Sequence, residues 1–175
     1  MDERSNKEFE KLALPLLDPL YNFACWLSGD TDEAKDLVQE SFAKALKAFG
    51  SFRPGTNFRA WMFRILRNTF LTSRTGLERR NTAQEDEEGF DDAVVSTETP
   101  ELALIRRADT ELVRNAIAQL APIFQEVVLL ADIEEMKYQE VAEALGIPIG
   151  TVMSRLARGR KQIRAHIVAT LRTTS

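Results

Sequence analysis

Covalent or metal chemistry has few places to sit in this chain. One cysteine, Cys25, and one histidine, His166, exclude a zinc site of the usual nitrogen and sulfur kind and any intrachain disulfide. No Gly-rich phosphate loop with Lys and no nucleophile–histidine pair is present. The acidic run Glu85-Asp86-Glu87-Glu88 lacks the alternating oxygen spacing of a calcium loop. The informative residues are short polar groups and cations. At 100° per residue Ser154, Arg158 and Lys161 share one outer helix face, flanked by Thr151 and Arg155. Short hydroxyls near a helix start can reach base edges, and guanidinium groups can clamp guanine or phosphate. Met153, Arg160 and Arg164 fall to one side, where phosphate contact suits better than base reading. His166 lies beyond, as a bystander or a phosphate neighbour.

A turn must present that face. In YQEVAEALGIPIGTVMSRLAR, residues 138–158, Tyr138, Val141, Ala142 and Leu145 form the inward side of one short helix. Ala142 is small where a second helix has to cross. Gly146 can take the left-handed conformation of a tight turn, and Pro148 cannot extend the preceding helix. Val152, Leu156, Gly159 and Ile163 form the inner stripe of the next helix. An ordinary helical hairpin with a basic end is the plain alternative, but small-residue, glycine and apolar placements all agree with a DNA-binding helix-turn-helix.

Composition sets the frame. The 175 residues are 44% hydrophobic and 29% charged, an ordinary globular profile with room for two small domains. Uncharged runs such as residues 19–29 are too short to cross a membrane, and the charged start is unlike a secretory signal. A lone cysteine fits a reducing cytoplasm. The net charge of −4 conceals three blocks: +1 over residues 1–74, −5 over 75–107, and 8 bases against 8 acids over 108–175. From Thr151 onward there are six Lys or Arg and no acid, and from Arg53 to Arg80 seven Arg against one Glu. Two basic stretches separated by an acidic one suggest two anion-binding surfaces, although either alone fits a solvated helix face equally well.

Helical periodicity dominates, with no convincing alternating strand, so the expected fold class is all-α. A first helix is expected over about 7–28, bent or interrupted at Pro15 and Pro19. Asp30 with Glu33 reads as a reciprocal N-terminal cap. The helix after it turns Ala34, Leu37, Val38, Ala45, Leu46 and Phe49 inward and Asp36, Gln39, Glu40, Lys44 and Lys47 outward. A third helix, about 57–74, is expected to bury Phe58, Trp61, Met62, Ile65 and Thr69, with Arg64, Arg67 and Arg74 opposite and Asn68 on the flank. Cys25 and Trp26 join that core. Residues 76–99 read as an acidic tether, Thr99-Pro100 as a helix start, and the following helix carries Leu104, Ala108, Leu112 and Ile117. Pro122 opens another, with Val127, Val128, Leu129 and Leu130.

Both halves resemble bacterial sigma factors of the extracytoplasmic-function type. The resemblance rests on DEAKDLVQESFAKAL at 32–46, FRAWMFRILRN at 58–68 and the helix-turn-helix with GTVMSR at 150–155, in this order across the tether. It implies a non-enzymatic subunit without cofactor that brings core RNA polymerase to promoters and opens them. Residues 1–77 correspond to sigma region 2, 78–99 to an acidic flexible linker and 100–175 to region 4. The resemblance assigns Asp36, Gln39 and Glu40 to the coiled coil of the polymerase beta-prime subunit, and implies core RNA polymerase, through its beta-prime and beta subunits, as partner; an exposed carboxylate pair suits a basic partner helix. It assigns Phe52, Arg53, Asn57, Arg64, Arg67 and Asn68 to the minus-ten box. A loop holding Phe52 and Arg53 could stack an unpaired base, worth on the order of 1–3 kcal/mol. Trp61, on the apolar stripe, reads as core. Thr151, Ser154, Arg155, Arg158 and Lys161 would read the minus-thirty-five box. Control by an anti-sigma factor, often membrane-bound, is also implied, without membrane insertion of this chain. Thr72, Met153 and the pair Gln125-Glu126 depart from the common pattern; the first two bear on base preference.

The tether then acquires a length requirement. Its 22 residues from Glu78 to Thr99 reach about 75 Å at roughly 3.3–3.6 Å each. Two helical turns of DNA span about 70 Å. The alternative is a self-sufficient helix-turn-helix regulator, which binds its operator tightly without polymerase.

Overall fold

The computed structural model describes residues 2–78 and 100–175, the side chains of 76–78 and 100–108 excepted. All its regular structure among these residues is helical: α1 (Glu3–Ala13), α2 (Leu17–Ser28), α3 (Thr31–Ala48), α4 (Phe58–Glu78), α5 (Pro100–Ala118), α6 (Pro122–Val128), α7 (Tyr138–Leu145) and α8 (Ile149–Thr173). They fall into two compact units, one mainly before the tether and one mainly after it. The tether itself, the Thr99 cap and the side chains of Leu104 and Ala108 lie outside the described residues.

In the first unit the prolines act where expected. Pro15 sits in a 3-10 turn, Leu14–Leu16, that separates α1 from α2. Pro19 lies in the first turn of α2, where its missing N–H costs no helical bond. The α1 part begins at Glu3, earlier than the apolar pattern indicated. Gly29 ends α2 at φ 70°, its N–H donating to the Cys25 carbonyl at 2.8 Å. Asp30 Oδ1 then accepts from the amides of Asp32 (2.7 Å) and Glu33 (3.0 Å) to start α3. The reciprocal half of that cap is absent. Glu33 turns instead to Arg74 Nη2 on α4 (3.4 Å), and the Asp30 amide donates to Ser28 Oγ (3.4 Å).

Helices α2, α3 and α4 pack on one another. Their core holds Leu20, Phe23, Ala24 and Cys25, then Ala34, Leu37, Val38 and Ala45, then Ala60, Met62, Phe63 and Leu66, all buried. The stripe on α4 is shifted from the expected one. Phe58, Trp61 and Ile65 are only half-buried, whereas Ala60, Phe63 and Leu66 lie inside with Met62 and Thr69. From Phe58 to Leu66 the helix is apolar on almost every side, so period alone cannot choose the inner face. Trp26 and Leu46 are likewise half-buried. Beside the aliphatic core runs an aromatic chain: Phe9 edge-on to Phe42, Phe49 and Phe58 at 5.4–6.3 Å, and Phe23 against Phe63 at 5.5 Å.

The second unit is built differently. Val127, Val128, Leu129 and Leu130 are buried, as expected, but the helix that begins at Pro122 closes in a π-helical turn, Leu129–Ile133. Helix α8 packs on α5 and α6. Its inner stripe is Val152, Leu156 and Gly159, with Ile163 half-buried. Gly159 is required: a Cβ there would lie 2.9 Å from Val128 Cγ2 and 3.6 Å from Phe124. Gly146 between α7 and α8 takes φ 65°, the left-handed turn the sequence demanded. Tyr138 is exposed rather than inward, while Val141, Ala142 and Leu145 are buried.

Candidate nucleic-acid interface

Three surfaces carry the residues singled out from sequence. The first is on α3. With Ala34, Leu37, Val38 and Ser41 buried beneath it, the helix leaves Asp36, Gln39 and Glu40 exposed on its outer face. Ser41 was not anticipated in the core; its hydroxyl is satisfied by donating to the Leu37 carbonyl at 2.6 Å. Glu40 pairs with Lys44 one turn on, at 3.0 Å, and Lys44 Nζ also approaches Thr69 Oγ1 of α4 at 3.5 Å. Both partners are about half exposed, so the pair orders the side chains more than it stabilises the fold.

The second surface joins the loop before α4 to the outer face of that helix. Gly55 (φ 87°) turns the loop, and Thr56 Oγ1 donates to the Arg53 carbonyl at 2.7 Å, leaving the Arg53 side chain exposed. Phe52 is not a loose loop residue. It stacks on Phe49 with ring centroids 6.0 Å apart, meets Phe58 edge-on at 5.3 Å and lies 5.1 Å from Trp61. Trp61, expected in the core, is therefore the half-exposed end of an aromatic wall. Asn57 starts α4: its Oδ1 accepts from the Ala60 amide at 2.9 Å and its carbonyl from Trp61 at 3.1 Å. That cap occupies the Asn57 oxygen. Arg64 and Asn68 are exposed one turn apart, with Arg67 half-buried beside them. Arg74 leaves this row; its Nη2 donates to the Ser28 carbonyl at 3.2 Å, and its guanidinium lies over the Phe70 ring. Thr72 is exposed, its hydroxyl donating to the Asn68 carbonyl at 2.9 Å.

The third surface is α8. Pro148 accepts the first helical bonds from Thr151 (3.0 Å) and Val152 (3.1 Å). Ser154, Arg158 and Lys161 are exposed on one stripe, with Thr151 and Arg155 half-buried along its edge. Met153 is exposed as well. In front of this helix, Glu140 on α7 reaches back to the Lys137 amide at 3.0 Å, a cap the sequence reading passed over. Arg160, grouped from sequence with phosphate contacts, is committed elsewhere. Its Nε lies 3.0 Å from Asp132 Oδ2 and its Nη2 2.6 Å from Oδ1. The hydrogen bond to Asp132 outweighs the opposing effect of burial and, with that carboxylate's charge and a smaller contribution from Tyr138, raises the guanidinium pKa above its ordinary value. Asp132 is 28 residues away in sequence, beyond the reach of any helical spacing rule.

Among the described residues no group of three or more His, Cys, Asp or Glu could hold a metal ion, and no helix is long and apolar enough to cross a membrane.

Comparison with known proteins identifies the family. The family model for sigma-70 region 2 matches residues 12–80, and that for sigma-70 region 4 matches residues 110–163. The chain is 32% identical to the RNA polymerase sigma-H factor of Pseudomonas aeruginosa, over 97% of this chain and 92% of that protein. It is 34% identical to the ECF RNA polymerase sigma factor SigE of Mycolicibacterium smegmatis over 95% of its length, but spans only 64% of that longer protein. Among solved structures, the sigma factor RpoE of Bartonella quintana, in complex with the anti-sigma factor NepR, superposes with a TM-score of 0.76 at 28% identity. That match covers 92% of this chain and 97% of the other.

Proposed function

Since the chain belongs to the extracytoplasmic-function sigma factors, which bind core RNA polymerase and direct promoter-specific initiation, we propose how its residues divide that work. Residues 1–77 form the polymerase-docking and proximal-box domain, 78–99 the linker and 100–175 the distal-box domain. Asp36, Gln39 and Glu40 dock a basic surface of the polymerase. Phe52, Arg53, Asn57, Arg64, Arg67 and Asn68 engage the proximal box, the Phe52–Trp61 wall offering a stacking surface for a base that leaves the duplex. Thr151, Ser154, Arg155, Arg158 and Lys161 read the distal box. The protein acts in the cytoplasm without catalytic chemistry of its own, and an anti-sigma partner holds it inactive, as NepR binds the Bartonella factor.

The observation that carries this reading is the pairing of two faces on one helical body. Helix α3 turns carboxylates outward while α4, packed against it, turns Arg64 and Asn68 outward. A self-sufficient regulator has no use for the first face. Run-off transcription with purified core polymerase on a promoter library tests the assignment. Asp36→Arg should weaken core binding about 10-fold, equivalent to about 1.4 kcal/mol, with promoter preference retained in the complexes that form. Undiminished core binding removes Asp36 from the docking surface.

A further inference from the structure

Arg160 stands on the recognition helix among cations, yet both arms of its guanidinium fork are spent on Asp132, at 3.0 and 2.6 Å. Asp132 belongs to the π-helical turn that closes α6. At the preceding residue, Gly159, α8 packs tightly on α6, since a Cβ there would meet Val128 Cγ2 at 2.9 Å. Adjacent residues thus fix two different freedoms. Gly159 sets the separation of the helices, and a planar bidentate pair at Arg160 resists rotation of α8 about its own axis. Rotation matters because side-chain tips stand about 6 Å from a helix axis. A turn of about 20° moves them by about 2 Å, more than a base-edge hydrogen bond tolerates.

We propose that the Asp132–Arg160 clasp positions the recognition helix, setting the angle at which Ser154, Arg155 and Arg158 meet the distal box, and that Arg160 itself does not touch DNA phosphate. The clasp acts through those readers, so it is a positioning pair, and it rests on α8 being the recognition helix.

Full-length wild type, Arg160→Gln, Arg160→Lys and Asp132→Asn are each assembled with core polymerase. They are compared on a promoter library randomised across the distal box and in salt titrations on one promoter. Arg160→Gln and Asp132→Asn should each reduce discrimination against single mismatches about fivefold, out of the roughly 5- to 150-fold that one mismatch is worth. Arg160→Lys, which keeps one charged bond to Asp132, should recover part of it. The salt dependence of Arg160→Gln should match wild type, because no phosphate contact is lost. A slope smaller by about 1 with base preference unchanged would make Arg160 a phosphate contact and overturn the proposal. Unchanged preference in both Arg160→Gln and Asp132→Asn would overturn it too. If Arg160→Gln fails to fold, Asp132→Asn decides alone, since it keeps every cation of α8. Wild type without any distal-box preference would sink the recognition-helix reading itself, a failure visible before any variant is compared.

Discussion

Helices α4 and α8 both turn arginines to solvent, but what lies behind them differs. Behind α4 are large side chains: Met62, Phe63 and Leu66 fully buried, with a half-exposed wall of Phe52, Phe58 and Trp61 at its start. Behind α8 the inner stripe is Val152, Leu156 and Gly159, narrow enough for α6 to approach within van der Waals contact. The difference suits the state of the nucleic acid proposed for each. Bases that have left a duplex need flat rings to stack on. Bases still paired need a slim helix held at a fixed angle, with short polar groups and arginines reaching the groove. A positive charge on both helices therefore says less about their tasks than the size of the residues that support them.

Deleting a large ring should break the first of these supports most severely. Phe63 is fully buried against Phe23, and Phe63→Ala should destabilise the first unit by about 3–5 kcal/mol. Both tryptophans, Trp26 and Trp61, lie in that unit, so their fluorescence during urea unfolding reports it directly. A loss under about 1 kcal/mol would mean that the aromatic core is not what holds α4.

The second support should fail by the opposite change. Gly159→Leu forces a side chain into a gap already closed at Cβ, and overpacking of this kind should cost about 2–3 kcal/mol. Amide hydrogen exchange in α6 and α8 should accelerate accordingly. Unaltered protection would show that the two helices can separate without penalty, contrary to the close approach at Val128.

These contrasts were only partly legible in the residue order. The left-handed Gly146, the inner stripe of α8 and the outward Asp36, Gln39 and Glu40 follow from local spacing, because each depends on neighbours within two turns. The face of α4 could not be read that way: nearly every residue from Phe58 to Leu66 is apolar, and only the packing of α2 and α3 selects Ala60, Phe63 and Leu66. Long-range polar partners were hidden for the same reason. Arg160 meets Asp132 across 28 positions, and Arg74 meets Glu33 across 41. In each case a cation from one of the two basic stretches is spent within the fold. The division of the proximal and distal boxes among particular side chains rests on the family resemblance, which spacing alone does not supply.

The smallest effect tests how α3, the helix proposed to dock the polymerase, begins. Sequence spacing made Asp30 and Glu33 mutual caps, but only Asp30 caps: its carboxylate accepts two amides at 2.7 and 3.0 Å. Asp30→Ala should therefore cost about 1 kcal/mol. Glu33 joins Arg74 at 3.4 Å in a partly exposed pair, and exposed pairs contribute little once solvent screens them, so Glu33→Ala should cost at most about 0.5 kcal/mol. The ratio of the two urea midpoint shifts, read from the same tryptophans, separates the arrangements. A reciprocal cap would make the two losses nearly equal, because removing either carboxylate would strand an amide. A one-sided cap makes Asp30→Ala the larger, and leaves the α3–α4 link through Glu33 and Arg74 as a lesser, salt-sensitive contribution that should fade as ionic strength rises.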